Sequence, residues 1–474
     1  MASCAEILMK GTTDMKKTIA ILLSLLMVFG LAACSKNDTN TGDNSFYVYS
    51  KDYGFTKNEM AYLYNYVYSQ SASYLSYLGV DTTKSLKDQE YMDGTSWFDY
   101  MMEQAVSYAK DFLIFSETAK DRGIELDEAD MNQIQEELDA VLKSAKEAGF
   151  DTVEEFFNDT FGASMTSDEY KSFLEKSTLA YKVYSDIEKS YAFTNDQIQE
   201  HYTNNQNEFN YINYLVYSFA ENADKGITAE AAEKSADELA AVTSAEAYKA
   251  YVENYINGIN EDGALDVEAE MTKIEANDMF YTQGDEISEW GFAADAAVNQ
   301  TLVTRNTENH VYTVYLLTKL PYRHEAATVN VRHILVTADT YGSDEEAKAF
   351  AEKVLDEWKT GDATAVSFGE LAKQYTEDQG SKATGGLYEN VAEGDMVQTF
   401  NDWIFDPSRV VGDTGIVQTD YGYHIMYFEG KGYDQWQNEV ISSMKQVAYS
   451  ADYSALQKQY PITVETEKLN GIVE

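Results

Sequence analysis

The chain has 474 residues and carries 81 Asp and Glu against 35 Lys and Arg, a formal net charge of −46. Such an excess of carboxylates repels nucleic acid and anionic lipid head groups alike, so it excludes a nucleic-acid partner and any membrane attachment through basic residues. Its bland use is to keep a surface protein soluble. The 2 cysteines, Cys4 and Cys34, are too few for a disulfide framework or a thiolate metal site, and no metal and no cofactor are expected.

Lys16 and Lys17 precede an apolar run from Ile19 to Ala33, which reads as a signal-peptide core and is too short for a comfortable membrane span. The run ends in L-A-A-C at Leu31 to Cys34. Small residues directly before a cysteine resemble the lipobox of bacterial lipoproteins. That resemblance implies a signal peptide over 1–33, with Met15 its natural start and 1–14 a non-native extension, and lipidation of Cys34 as the mature N-terminus. An uncleaved anchor helix is the alternative. A lipidated Cys34 leaves no thiol for nucleophilic chemistry. Residues 34–50 then hold the lipidated cysteine and a tether, because Ser35 to Ser45 is rich in Asn, Asp, Thr and Gly.

Residues 51–191 read as a mainly helical lobe. Ile134, Leu138, Val141 and Leu142 repeat at helical spacing behind Asp130, and Phe150, Phe156, Phe157, Tyr170, Phe173 and Leu174 continue the apolar faces. Tyrosine is used heavily, as at Tyr62, Tyr66, Tyr74 and Tyr77. Its amphipathic ring suits a surface that binds unfolded segments, although a buried helical face is the blander role.

Thr194 and Gln197 form a capping box at the head of a helix running toward Phe209. The strand-like Y-I-N-Y-L-V-Y-S-F at Tyr211 to Phe219 follows, then a helical stretch from Ala229, E-W-G-F at Glu289 to Phe292, and N-H-V-Y-T-V-Y-L-L from Asn309. Pro321 to Ala327 reads as a short hinge.

The next hundred residues repeat that order with different chemistry. V-N-V-R-H-I-L-V from Val329 has the alternation of a buried strand and carries His333. Ser343 with Glu346 is a capping box, and Ala347, Phe350, Ala351, Val354, Leu355 and Trp358 keep helical spacing until Gly361. Ser367 with Glu370 reads as a second box. T-E-D-Q-G-S-K-A-T-G-G-L-Y is a glycine-rich turn, and Met396, Phe400, Trp403 and Phe405 can share an apolar helical face. G-I-V-Q-T-D-Y-G-Y-H-I-M-Y-F reads as two strands around a turn and carries His424. Strands from the two ends of a compact domain commonly lie side by side, so the two histidines are placed to face each other.

R-H-I-L-V, E-D-x-G-S-x-x-x-G-G, M-V-x-x-F-x-x-x-x-F and G-x-V-x-T-x-x-G-Y-H-I-M, in that order, resemble the parvulin family of peptidyl-prolyl cis/trans isomerases, and more closely its PrsA-type foldase lipoproteins. The resemblance implies a four-stranded antiparallel sheet wrapped by helices, with a shallow proline pocket. Carried over position by position, His333 and His424 are the paired histidines, Asp378 the polar residue beside the reacting amide, and Thr419 the hydroxyl tied to the histidines. Met396 and Phe400 form the proline pocket. The usual G-G-D-L-G is here Gly385-Gly386-Leu387-Tyr388-Glu389, so the third pocket wall falls to Leu387 or Tyr388. The bland reading of the histidines is a hydrogen-bonded core pair that keeps the sheet in shape.

By comparison, 192–326 is a degenerate copy of the 327–432 unit, with Asn213 and Tyr214 near the place of His333 and Tyr312 near that of His424; an unrelated α+β domain is the alternative. Residues 433–474 read as a helix from Gln435 and a short strand at Ile462 to Val464 that returns to the helical lobe. The expected class is therefore multi-domain α+β: helical chaperone-like lobe, degenerate unit, parvulin unit. The expected function is a membrane-tethered extracytoplasmic foldase acting on X-Pro bonds of newly exported polypeptides. A holdase whose parvulin unit binds without catalysing is the first rival. A solute-binding lipoprotein is disfavoured, because no region alternates strand and helix as a two-lobed binder does. Client identity and oligomeric state are not legible.

Overall fold

A computed structural model of the chain describes residues 45–260, 266–274 and 277–472; the stretch read as a signal peptide, the expected lipidation site Cys34 and most of the expected tether lie outside them. No described helix is long and apolar enough to cross a membrane. The chain divides into two compact units, one of residues up to Ala192 together with Lys445 onward, the other Phe193–Met444.

The first unit is built on helices Lys57–Tyr77, Trp97–Arg122, Glu128–Glu147, Val153–Phe161 and Ser167–Ser190. Their starts are written locally. Thr56 and Glu59, Asp127 and Asp130, and Thr166 and Glu169 form reciprocal capping boxes, each satisfying two backbone donors that the first turn leaves free. Asp130 is thus the box partner of Asp127 and not the start of its helix. Three short strands, β1 (Phe46–Tyr49), β2 (Gly54–Thr56) and, far along the chain, β13 (Thr463–Val464), form an antiparallel sheet in the order β13-β1-β2, so the C-terminal segment does return to this lobe, and β3 (Glu90–Met92) pairs with β4 (Thr95–Ser96) ahead of the second helix.

The tyrosines divide between buried and exposed positions. Tyr62 and Tyr170 are buried, the Tyr62 ring edge-on to Tyr170, Phe157, Phe161 and Phe173, whereas Tyr74 is 60% and Tyr77 85% exposed. Three acids are also buried. Glu59 meets Lys176 at 2.6 Å, Glu117 accepts from the Asp52 N–H at 2.8 Å, and Asp111 accepts the Tyr453 hydroxyl with no cation bonded to it among the described residues; burial pushes the Asp111 carboxyl up to about 8.

The second unit contains two four-stranded antiparallel sheets. β5 (Tyr211–Ala220), β6 (Asn277–Phe280), β7 (Thr301–Asn306) and β8 (Val311–Tyr322) lie in the order β6-β5-β8-β7. β9 (Ala327–Val336), β10 (Leu387–Val391), β11 (Thr414–Thr419) and β12 (Gly422–Asp434) lie in the order β10-β9-β12-β11. The two orders are the same when strands are taken in sequence. Each sheet packs one face on a pair of helices, Ala229–Ala240 and Ala245–Ile259 for the first, Asp344–Thr360 and Ala365–Tyr375 for the second. The short helix Glu286–Gly291 precedes β7 as Gln398–Ile404 precedes β11.

Strand register corrects the expected correspondence of residues. Tyr312 stands opposite Phe219 and is buried with Leu215 and Val314 on the helix-covered face, so it is not where His424 lies in the other sheet. The residues on the other face are Tyr214, opposite Leu317, and Tyr315, opposite Val216; their rings meet edge-on at 5.5 Å. This is the diagonal relation of His333, opposite Met426, and His424, opposite Leu335. A tyrosine pair holds the place of the histidines.

The segment read as a hinge is tied down. The Arg323 guanidinium lies over the rings of Trp436 and Tyr202, the His324 ring stacks on Tyr211 at 4.0 Å and meets Asp278 at 3.0 Å, and the carbonyls of His324 and Ala326 accept from the first residues of helix Gln435–Gln459. Another local reading shifts by three residues. The box expected at Ser367 and Glu370 lies at Thr364 and Ser367, because the Trp358 indole donates to the Thr364 carbonyl at 2.9 Å and helix Ala365–Tyr375 buries Phe368 and Ala372.

Candidate functional site

β9 and β12 run antiparallel through the middle of the second sheet. Alternation sends Ile334, Val336 and Ile425 to the helix-covered face. Val331, Met426 and Phe428 join Phe400, Ile404 and Val417 in a second apolar cluster on the other face, the face on which His333 and His424 stand. Their Nδ1 atoms are 3.0 Å apart, and both residues are buried. The glycine pair of the turn has a steric reason. Gly386 has φ +75°, and its carbonyl oxygen accepts from the His333 N–H at 2.9 Å; a Cβ there would fall 2.2 Å from the His333 carbonyl oxygen. Arg332 fixes the same turn by donating to the carbonyls of Thr384 at 2.8 Å and Gly385 at 2.9 Å.

The polar groups form one line. His333 Nε2 lies 2.9 Å from Asp378 Oδ2, and His424 Nε2 lies 2.8 Å from Thr419 Oγ1, which in turn accepts from the Tyr421 N–H at 3.1 Å. Burial lowers the His424 imidazole to about 3, helped by the neighbouring His333, so this ring is neutral at physiological pH. Burial opposes the charge on Asp378, but donors from His333, Ser381 and Tyr388 outweigh it and hold the carboxyl below its usual range. An ionised carboxylate only accepts. His333 therefore donates from Nε2 to Asp378 Oδ2, and the neutral His424 ring bridges His333 Nδ1 and Thr419 Oγ1 through its two nitrogens, one donating and one accepting.

Phe400, only 3% exposed, sets its ring edge-on against both imidazoles, 5.5 Å from His333 and 5.3 Å from His424. Met396, Trp403 and Phe405 pack in the same cluster. The helix itself covers only Gln398–Ile404, so Met396 and Phe405 flank it, and Ile404 is the deeper anchor. Tyr388 stands on the histidine face opposite Val331 and packs in the same cluster, whereas Leu387 stands opposite Arg332 and departs from the other face. The structure therefore brings together His333, His424, Asp378, Thr419, Met396, Phe400 and Tyr388, and leaves Leu387 apart. Cys34 lies outside the described residues.

Ser381 was not singled out from the sequence. It is fully buried, and its hydroxyl reaches both Asp378 Oδ2 and, at 3.2 Å, His333 Nε2. A signal for it exists. Asp378 caps the turn Gln379–Lys382, and Ser381 follows three residues later, the spacing at which a side chain turns back toward its cap. Among the described residues no cluster of His, Cys, Asp and Glu is arranged to hold a metal ion.

Residues 315–431 match the family described as the PPIC-type PPIASE domain, so the chain carries a parvulin-type domain there. The chain is 34% identical over 104 residues to Chaperone SurA of Pseudomonas syringae pv. syringae, covering 22% of this chain and 23% of that protein. It is 30% identical over 125 residues to Foldase protein PrsA 1 of Listeria innocua, covering 26% of this chain and 38% of that protein. The match thus spans less than two fifths of these relatives' length. The solved PrsA peptidylprolyl isomerase of Bacillus anthracis aligns over 32% of this chain and 63% of its own, at 24% identity and a TM-score of 0.19.

Proposed function

We propose that the unit at 327–432 catalyses cis/trans isomerisation of X-Pro bonds, and that the whole chain is an extracytoplasmic, lipid-anchored foldase for newly exported polypeptides. The observation that carries this reading is the buried imidazole pair, hydrogen-bonded in one line from Asp378 to Thr419 against the edge of Phe400. Rotation about a peptide bond meets a barrier of about 18–20 kcal/mol because amide resonance must be broken. No covalent bond is made or cut. An apolar grip on the proline ring, with fixed dipoles that favour the twisted amide over the planar one, is sufficient chemistry.

His333, His424, Asp378 and Thr419 supply the polar line in this reading, and Met396, Phe400 and Tyr388 the grip. The sheet of β5–β8 is read as a degenerate copy of the unit, supported by its identical strand order and by the Tyr214–Tyr315 pair in place of the histidines. The exposed Tyr74 and Tyr77 favour, beside catalysis, a holding role for the helical lobe toward unfolded segments.

The test uses the full chain and a proline-containing peptide followed by exchange NMR. Acceleration of cis/trans exchange is expected, with essentially all of it lost in a folded His333→Ala variant, since the other sheet has no histidine pair. No acceleration by the wild-type chain would leave the holding role alone. On the anchor, Cys34→Ser is expected to abolish incorporation of labelled lipid and to move the protein out of the membrane fraction. Continued labelling of that variant would remove the lipobox from the reading.

A further inference from the structure

The donors around Asp378 are unevenly placed. Oδ2 receives His333 Nε2–H at 2.9 Å, the Ser381 hydroxyl, and the Tyr388 phenol at 2.8 Å, while Oδ1 receives the Gly380 N–H at 3.2 Å. A carboxylate oxygen offers about two lone-pair sites. Three donors saturate Oδ2 and leave it no capacity for a client amide. The phenol closes the last side. Its ring lies nearly parallel to the His333 imidazole, 24° off at 5.2 Å between centroids, so one side chain both walls the pocket and reaches the carboxylate. An apolar residue here would wall the pocket equally well but leave Oδ2 open on that side.

We infer that Tyr388 is a positioning residue of the isomerase site: its O–H closes Asp378 Oδ2 against the client and keeps the carboxylate turned onto His333. The inference rests on the isomerase reading. In it Asp378 acts through His333 by accepting from Nε2 and fixing the orientation of that imidazole, and does not itself touch the reacting amide. Substitutions at 388 and 378 then operate on one hydrogen-bonded group and do not add.

The test is a double-mutant cycle on the full chain. Tyr388→Phe keeps the ring and is expected to lower kcat/KM about threefold to tenfold, the scale of one net hydrogen bond. Asp378→Asn should cost more, and the double variant no more than Asp378→Asn alone. Full activity of Tyr388→Phe, or two losses that multiply, would overturn the proposal. A second readout needs no turnover: the His333 Nε2–H proton resonance should move downfield in Tyr388→Phe, because a carboxylate with one donor fewer accepts more strongly. An unmoved resonance would overturn the proposal as well. If the wild-type chain fails to accelerate exchange, the isomerase reading falls, and the resonance still decides whether Tyr388 holds Asp378.

Discussion

Replacing Phe400 by alanine is expected to lower kcat/KM for an X-Pro peptide by about 100-fold, the scale of a misplaced catalytic geometry, and to destabilise its domain by about 3–5 kcal/mol. Both effects have one origin. The ring is buried and packs edge-on against His333 and His424, so it is at once the proposed grip on proline and part of the packing that holds the imidazoles parallel. Alanine leaves a cavity on that face, into which the histidines can relax. Loss of the grip alone would raise KM and spare kcat; loosened imidazoles lower kcat as well. Phe400→Leu, which keeps most of the apolar volume, should fold more stably than Phe400→Ala and recover part of KM but little of kcat. Steady-state kinetics with an unfolding curve for each variant decide the matter. A folded Phe400→Ala chain with wild-type kcat/KM would take Phe400 out of the site.

In the helical unit, Lys176→Met is expected to cost about 3–5 kcal/mol, as removal of one partner of a buried ion pair does. Glu59 is 1% exposed; its two oxygens are met by Lys176 Nζ at 2.6 Å and by the Thr56 N–H at 2.8 Å, and the ammonium sits over the Phe55 ring. Burial raises the Glu59 carboxyl and Lys176 opposes that rise. Methionine fills the space of the lysine but leaves the carboxylate charged in an apolar core. An acid with a raised folded-state pKa is best tolerated below its unfolded value and increasingly costly as pH rises toward its folded value. The deficit of Lys176→Met should therefore be largest at neutral pH and shrink on acidification, once Glu59 is protonated. Adding Glu59→Gln should restore much of the loss at neutral pH. Hydrogen exchange over Lys57–Tyr77 and Ser167–Ser190 reads this directly. A deficit independent of pH would mean that lost packing, not the stranded charge, is responsible.

Much of this protein was legible without coordinates because its signals are local. Capping at Thr194 with Gln197 and at Ser343, the apolar spacing from Ala347 to Trp358, and the glycine turn before Tyr388 each depend on neighbours within a few residues. The four motifs that carry the family resemblance are likewise short runs, and the PPIC-type match at 315–431 falls on them. What the chain could not reveal was register and convergence. Tyr312 and Tyr315 differ by three positions, yet one faces the helices and the other the pocket side, since an odd step along a strand changes face. Ser381 and Tyr388 meet on one oxygen of Asp378 only because the turn folds back against β9, and Lys176 finds Glu59 from 117 residues away. Between Thr364 and Ser367, both fit to cap a helix, the choice fell to the Trp358 indole on the preceding helix. Short-range chemistry decides where elements begin and end; which face and which partner each side chain meets depends on packing between segments that the sequence keeps far apart.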